Sequence, residues 1–181
     1  MINKLGCYLP AKQIPSPFCN ERPADTLISL LVIHCISLPE GEYGGKAIEQ
    51  LFSGCLDCHA HLSFAELVGL EVSAHCVIRR DGNIEQYVPF EQRAWHAGVS
   101  SFEGIAACND YSIGIELEGT DSSAYTQAQY QALATLTAEL QQRYPAITKQ
   151  RIVGHSDIAP GRKSDPGSGF DWCYYLQLLA D

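Results

Sequence analysis

The sequence has 181 residues, a length that suits one domain with a continuous core. Apolar residues make up 46% and charged residues 18%, which excludes an intrinsically disordered chain. The formal net charge of −9 argues against nonspecific binding to nucleic acid or to an anionic membrane, because a basic surface supplies most of that affinity.

The beginning of the chain carries one lysine in its first seven residues and no apolar run of the length that a signal peptide has. The longest apolar stretch, residues 27–36, is interrupted by Ser29 and His34 and is too short to cross a bilayer. We therefore expect a cytoplasmic protein. In that compartment the eight cysteines are expected to be reduced thiols.

The first predicted elements are a buried strand and a short helix. Residues 1–25, which include four prolines, are predicted to form an irregular lead-in. Residues 26–34 are a β-branched apolar run typical of a buried central strand, which would end at His34. A short helix is predicted over residues 46–52.

The middle of the chain predicts a hairpin, a long loop and a second central strand. Residues 73–79 and 84–88 flank an Asp-Gly turn, which predicts a β-hairpin. Residues 91–110 are predicted to form a long loop. Residues 111–118 alternate between aliphatic and polar positions, so we expect a half-buried strand with its two glutamates on the face opposite the aliphatic side chains.

The last third of the chain predicts two helices and a short strand. The clearest helix covers residues 126–144, where Thr126 and Gln129 form a capping box ahead of an apolar stripe. A short strand over residues 151–154 and a second amphipathic helix over residues 172–179 follow. These elements predict an α/β (α+β) fold with a single central β-sheet flanked by helices.

Two histidines, His34 and His155, are predicted at points where strands meet loops, and Asp165 lies in the Gly/Pro-rich loop that follows His155. Two imidazoles and one carboxylate suit Zn²⁺, and three protein ligands leave one position open for water. From the spacing alone, hydrogen-bonded structural histidines remain the alternative. His75, within the predicted hairpin, is expected to be such a structural histidine.

A second group of metal-binding residue types lies at residues 55–61. Cys55, Cys58 and His59 match the C-x-x-C-H pattern of covalent haem attachment, and with His61 they could form a structural zinc site. Haem attachment of this type requires export, for which we predict no signal, and two histidines this close would need unusual turns to share a zinc ion. We expect a loop with unpaired thiols instead.

Four segments resemble the motifs of one enzyme family and follow the family's order: residues 73–82, 93–100, 108–119 and 154–167. They are similar to the type-2 N-acetylmuramoyl-L-alanine amidases and, more closely, to the cytosolic 1,6-anhydro-N-acetylmuramyl-L-alanine amidases of the AmpD family. The resemblance implies a single type-2 amidase domain over residues 1–181. It also implies the peptidoglycan-recognition fold, a mixed central β-sheet with helices on both sides.

This resemblance implies a zinc-dependent hydrolase that cuts the amide bond between (1,6-anhydro-)N-acetylmuramic acid and L-alanine in muropeptides, in cytosolic peptidoglycan recycling. It places the ligands of one Zn²⁺ per chain at His34, His155 and Asp165, and the catalytic residues at Glu116 and Lys163. The expected partner is an anhydro-muropeptide bound by a monomeric protein, with no nucleic-acid or membrane partner. The alternative is a peptidoglycan-recognition domain that binds a fragment without cutting it. The enzyme is favoured because all three metal-ligand positions and both catalytic positions carry the residues of the family.

The chemistry of amide hydrolysis agrees with these residue types. Zinc can lower the pKa of water to about 7 and polarise the carbonyl group. Glu116 could deprotonate the water and pass the proton to the leaving amine. Lys163, two residues before Asp165, could stabilise the developing negative charge. Without the resemblance, a solvated strand carboxylate would be the simpler interpretation of Glu116, as we assume for Glu118, and a surface lysine that of Lys163.

Substrate contacts are predicted at Arg162, Trp95 and Cys35. Arg162 is expected to pair with a substrate carboxylate. Trp95, with His96 beside it, either lines the sugar pocket or anchors its own loop. Cys35 stands where relatives commonly carry an asparagine. Glu71 and Ala107 stand where relatives carry arginines, and Ser63 stands where close relatives carry a tyrosine. Recognition of the peptide stem is therefore expected to differ.

Overall fold

The computed structural model describes residues 1–179, and its central feature is a six-stranded mixed β-sheet. The strands are β1 (Lys12–Gln13), β2 (Cys19–Asn20), β3 (Leu30–Ile36), β4 (Cys76–Ile78), β5 (Ile84–Gln86), β6 (Arg93–Ala94), β7 (Ser101–Phe102), β8 (Ile105–Ala106), β9 (Ser112–Glu118) and β10 (Ile152–Gly154). The helices are α1 (Ala47–Phe52), α2 (Gln127–Arg143), α3 (His155–Ile158) and α4 (Trp172–Leu178).

The strand order of this sheet is β1-β5-β4-β9-β3-β10. All neighbours are parallel except β4 and β5, which form the predicted antiparallel hairpin. The predicted fold class, a mixed central sheet with helices, is confirmed. Strands β2 with β6 and β7 with β8 form two small additional sheets.

Strands β3 and β9 lie side by side at the centre of the sheet. They pair in parallel over seven residues, from Leu30 opposite Ser112 to Ile36 opposite Glu118. Alternate side chains such as Ile33 and Ile115 pack into the largest apolar core, to which α2 and α4 also contribute. The opposite face of the sheet therefore carries the other set of side chains, and the candidate site lies there.

The prediction that β9 is half-buried is wrong, because all seven of its residues are buried. It lies between β4 and β3, and both faces of the sheet are covered. The core with α2 and α4 covers one face. A smaller apolar cluster that includes Val32 of β3, Ala97 and Ile158 of α3 covers part of the other. The alternation in the sequence correctly predicted which face of the sheet each side chain occupies, but it predicted the wrong degree of exposure for the polar face.

Helix α2 begins as predicted at a capping box. The Thr126 hydroxyl accepts the Gln129 N–H group at 3.1 Å, and the Gln129 side chain accepts the Thr126 N–H group at 3.1 Å. The apolar stripe of Leu133, Leu136 and Leu140 is fully buried against the sheet. Helices α1 and α4 also form where they are predicted.

Several predicted boundaries and irregular segments differ in the structure. The strand predicted over residues 26–34 begins at Leu30 and continues to Ile36, because pairing with β9 extends two residues beyond His34. The lead-in over residues 1–25 contains β1 and β2, and the loop over residues 91–110 contains β6, β7 and β8. Strands of two residues are too short to show a periodic pattern.

All eight cysteines lie within residues 1–179 and are free thiols there. None of the helices in this part of the chain combines the length and the apolar character that a membrane crossing requires.

Candidate metal centre and active-site cavity

Three side chains form a cluster that could bind a metal ion: His34 on β3, His155 at the first position of α3, and Asp165 in the following loop. His34 Nδ1 lies 3.0 Å from His155 Nδ1 and 3.0 Å from Asp165 Oδ2. The third side of this triangle, from His155 Nδ1 to Asp165 Oδ2, measures 3.1 Å. The sheet brings the two histidines together because β3 and β10 are parallel neighbours.

The size and chemistry of this triangle fit zinc. Ligand atoms about 2.0–2.1 Å from a tetrahedral Zn²⁺ lie roughly 3.3 Å apart, which is close to the observed separations. Burial lowers the pKa of His34 to about 4, which favours the neutral imidazole that a metal requires. Burial acts to raise the pKa of Asp165, but hydrogen bonds from His155 and His34 outweigh it and hold that pKa well below its ordinary value.

Glu116 lies beside this cluster because it is directly opposite His34 in the register of β9 and β3. Its Oε2 atom is buried and has no hydrogen-bonding partner among the residues that the structure describes. Burial raises the pKa of Glu116 well above its ordinary value, the charge of Asp165 raises it further, and the charge of Lys163 lowers it. A carboxylate in this position can accept a proton from a bound reactant.

One cavity of about 520 Å³ is lined by every residue for which a catalytic, metal-binding or substrate-binding role is predicted. These residues are His34, Cys35, Trp95, Glu116, His155, Arg162, Lys163 and Asp165. Apolar side chains form another part of the wall, including Phe52, Leu70 and Val72. The cavity therefore combines a charged centre with apolar surface, as sites for small organic molecules commonly do.

The predicted substrate-binding side chains have defined contacts at this cavity. The thiol of Cys35 donates a hydrogen bond to Asp121 Oδ1 at 3.2 Å. Arg162 Nη2 donates to the carbonyl oxygens of Ala97 and Val99, each at 2.7 Å. Trp95 Nε1 donates to Asn20 Oδ1 at 2.7 Å, so this ring both lines the cavity and anchors its segment.

The three remaining departures from the family's residues lie outside this lining. Ser63, Glu71 and Ala107 are exposed and are not part of the cavity wall among residues 1–179.

Two other histidines are close to the cluster, and their roles differ. His75 is a structural residue, as predicted: its Nδ1 accepts the Gly114 N–H group at 3.0 Å, and its Nε2 lies 3.1 Å from the Gln92 carbonyl oxygen. His96 Nδ1 lies 2.9 Å from His34 Nε2, the ring nitrogen that faces away from the cluster. Sequence reasoning missed this contact, because no spacing pattern relates positions 34 and 96.

Glu118 does not have the solvated environment that the sequence interpretation assumed. It is 1% exposed, and it accepts hydrogen bonds from Arg79 Nη1 at 2.9 Å, Gly44 N at 2.7 Å and Arg80 N at 3.1 Å. The sheet is covered here by the segment that contains Gly44, which closes over the end of β9. Glu118 is therefore a buried structural carboxylate.

A larger cavity of about 670 Å³ lies over Glu118, away from the metal cluster. Three of its four acidic side chains are paired with cations that also line it: Arg79 contacts both Glu85 and Glu118, and Lys12 contacts Glu49. None of the predicted site residues lines it. Volume alone does not identify the functional site here.

The group at residues 55–61 forms no metal cluster in the part of the chain that the structure describes. There, the only set of three or more ligand side chains with converging donor atoms is His34, His155 and Asp165. Cys58 Sγ donates to the Leu56 carbonyl oxygen at 3.8 Å, and His61 Nδ1 lies 2.7 Å from Ser63 Oγ.

Comparisons with known proteins agree on one family. The model of the N-acetylmuramoyl-L-alanine amidase family matches residues 24–168. The 1,6-anhydro-N-acetylmuramyl-L-alanine amidase AmpD of Escherichia coli (strain K12) is 56% identical over 180 residues, which cover 99% of this chain and 98% of that protein.

Solved structures give the same result. The crystal structure of a selenomethionine derivative of AmpD superposes with a TM-score of 0.96 at 56% identity and covers 99% of both chains. A complex of the E. coli amidase AmiD with anhydro-N-acetylmuramic acid-L-Ala-D-γ-Glu-L-Lys superposes with a TM-score of 0.63 at 31% identity, covering 88% of this chain and 61% of that one.

Proposed function

This chain belongs to the N-acetylmuramoyl-L-alanine amidase family, and we propose that it uses the cavity described above to cut the bond between 1,6-anhydro-N-acetylmuramic acid and L-alanine in muropeptides. It is an amidase of peptidoglycan recycling, as its 56% identity to AmpD over nearly its whole length indicates. The observation that carries the assignment to this cavity is that the histidine–aspartate cluster, Glu116 and Lys163 all line it.

His34, His155 and Asp165 would hold one zinc ion per chain. When bound, zinc lowers the pKa of water and polarises an amide carbonyl. The three side chains fit this ion because their donor atoms converge within 4.8 Å, and because two of the donors are imidazole nitrogens.

Glu116 would move the proton in this reaction. Its buried Oε2 atom would accept the proton of the attacking water and deliver it to the nitrogen of L-alanine, which must be protonated before it can leave. Its place opposite His34 holds the carboxylate next to the metal ligands. The rigidity of the central strand β9 keeps it there, since all of that strand is buried.

Lys163 would compensate the negative charge that develops on the carbonyl oxygen during attack. It lines the cavity two residues before Asp165, and its charge acts on Glu116 across the site. The loop that contains Lys163 is held near the metal cluster, because the Ser156 N–H group donates to the Asp165 carbonyl oxygen at 3.0 Å.

Substrate binding would use other side chains that line the same cavity. Arg162 is fixed at the cavity through Nη2, and we propose that its guanidinium pairs with a substrate carboxylate. Trp95 offers a ring on which a sugar can pack, and Cys35 lies next to His34 where the stem peptide would begin. The same family resemblance leads us to propose a single domain over residues 1–181 that acts as a monomer in the cytoplasm.

The deciding experiment incubates the zinc-loaded protein with a 1,6-anhydro-muropeptide and, in parallel, with its reducing-end counterpart, and follows the products by mass spectrometry. We expect release of the free stem peptide and the anhydro sugar, and no release after zinc is removed with a chelator. Glu116→Gln is the matched variant, since it keeps the shape of the side chain. Binding of the muropeptide without any product would instead identify a recognition domain.

A further inference from the structure

The imidazole of His96 contacts the outer nitrogen of a metal ligand. His34 directs Nδ1 towards His155 and Asp165, and its Nε2 lies 2.9 Å from His96 Nδ1. The second nitrogen of His96, Nε2, lies 3.1 Å from Ser112 Oγ. We propose that His96 is a positioning residue that fixes the orientation and the tautomer of His34.

The three side chains allow only one direction of hydrogen bonding once His34 binds a metal through Nδ1. Its proton must then be at Nε2, so His34 donates and His96 Nδ1 accepts. The proton of a neutral His96 is therefore at Nε2, from which it donates to the hydroxyl oxygen of Ser112. Metal-binding histidines usually donate their second N–H group to such a partner, which orients the ring and raises its basicity.

The structure holds His96 in place from two sides. A Cβ atom at Gly114 would overlap the His96 ring, so the glycine of β9 provides the space in which the ring lies. The side-chain oxygen of Asn109 accepts the backbone N–H groups of His96 at 3.1 Å and of Ala97 at 2.8 Å. The position of the imidazole is thus set by the backbone on one side and by the sheet on the other.

The same two-residue segment also contacts the other histidine ligand. The carbonyl oxygen of Ala97 lies 3.2 Å from His155 Nε2, the ring nitrogen of His155 that faces away from the cluster. Residues 96 and 97 therefore provide the outer partner of both imidazoles. The contact at Ala97 is made by a backbone carbonyl oxygen, whereas the contact at position 96 is made by the side chain.

The inference rests on the proposed zinc site, and loss of the His96 contact should weaken that site. Removing an outer partner of a metal ligand typically costs about 10- to 100-fold in metal affinity. His96→Leu removes the acceptor at similar size. His96→Asn returns an oxygen acceptor near the place of Nδ1, so it should restore most of the affinity that His96→Leu loses.

The test measures the zinc dissociation constant of the full chain by competition with a chelator. We expect His96→Leu to raise it by about 10- to 100-fold and His96→Asn to raise it by less than about threefold. His75→Leu is the matched control: His75 lies next to His96, with ring centroids 5.7 Å apart, but it contacts backbone groups and Arg22 and has no hydrogen bond to a metal ligand. It should lower the Tm and leave the zinc dissociation constant within about twofold.

A second measurement needs no variant and applies even if His96→Leu does not fold. In the zinc-loaded wild type, the long-range ¹H–¹⁵N spectrum of the imidazoles should show protons at Nε2 of both His34 and His96. A proton at Nδ1 of His96, or equal zinc affinity of wild type and His96→Leu, would overturn the inference while leaving the zinc site intact. Failure of the wild type to bind zinc would refute the proposed metal site, and with it this role of His96.

Discussion

Glu116 and Glu118 lie two residues apart on the same face of β9, yet the structure predicts opposite consequences for the two isosteric substitutions. Glu116→Gln removes a carboxylate whose Oε2 atom is buried without a partner among residues 1–179. Glu118→Gln removes a carboxylate that accepts three hydrogen bonds, from Arg79, Arg80 and Gly44. The first change should damage catalysis alone, and the second should damage the fold.

The expected magnitudes follow from these environments. Loss of a general base costs about 10²- to 10⁴-fold in rate, so kcat and kcat/KM of Glu116→Gln should fall together by that amount. Because the buried Oε2 atom of Glu116 has no hydrogen-bonding partner among residues 1–179, the amide breaks no hydrogen bond there and should not lower the free energy of unfolding. Replacing one Glu118 oxygen by an amide group leaves a buried donor without its acceptor, while Arg79 keeps its ion pair with Glu85. This change should cost about 1–3 kcal/mol of stability, which corresponds to a Tm lower by about 2–12 °C.

The assay combines steady-state kinetics, zinc content and thermal unfolding for the two variants and the wild type, below the Tm of the least stable protein. We expect Glu118→Gln to retain a kcat within about threefold of wild type per folded molecule, since it contributes no group to the cavity of the metal cluster. If Glu118→Gln lost as much kcat as Glu116→Gln while folded and zinc-loaded, the assignment of the proton-transfer residue would be wrong.

Three further results are expected. Elemental analysis should find about one zinc per chain, lost in His34→Ala and in Asp165→Ala, because an open three-ligand site cannot spare a ligand; full retention in both would refute the ligand set. Lys163→Ala should lower kcat by about 10²- to 10³-fold with zinc content and substrate affinity unchanged, and a rise in KM alone would show that Lys163 only binds substrate. Cys35→Asn should raise kcat/KM on tripeptide-bearing fragments; a change under twofold, about 0.4 kcal/mol, would mean that the thiol bonded to Asp121 is structural.

The elements with regular local patterns were predictable from the sequence. The capping box of Thr126 and Gln129 and the apolar stripe behind it identify α2, and the Asp-Gly turn identifies the hairpin of β4 and β5. Likewise, the resemblance to the amidase family identified eight of the residues that line the cavity. These features depend on neighbouring residues or on short segments, so they can be read along the chain.

Features that depend on contacts between distant segments were decided only by the tertiary structure. Glu116 and Glu118 look equivalent in the alternation of β9, but one faces the metal cluster and the other is covered by the segment that contains Gly44. The contact of His34 with His96 joins two positions that are 62 residues apart. His96 lies in the segment over residues 91–110, for which the sequence predicted only a long loop. Burial, ion pairing and hydrogen-bond direction are properties of the packed surroundings of a side chain, and a local pattern specifies which face it occupies but not what covers that face.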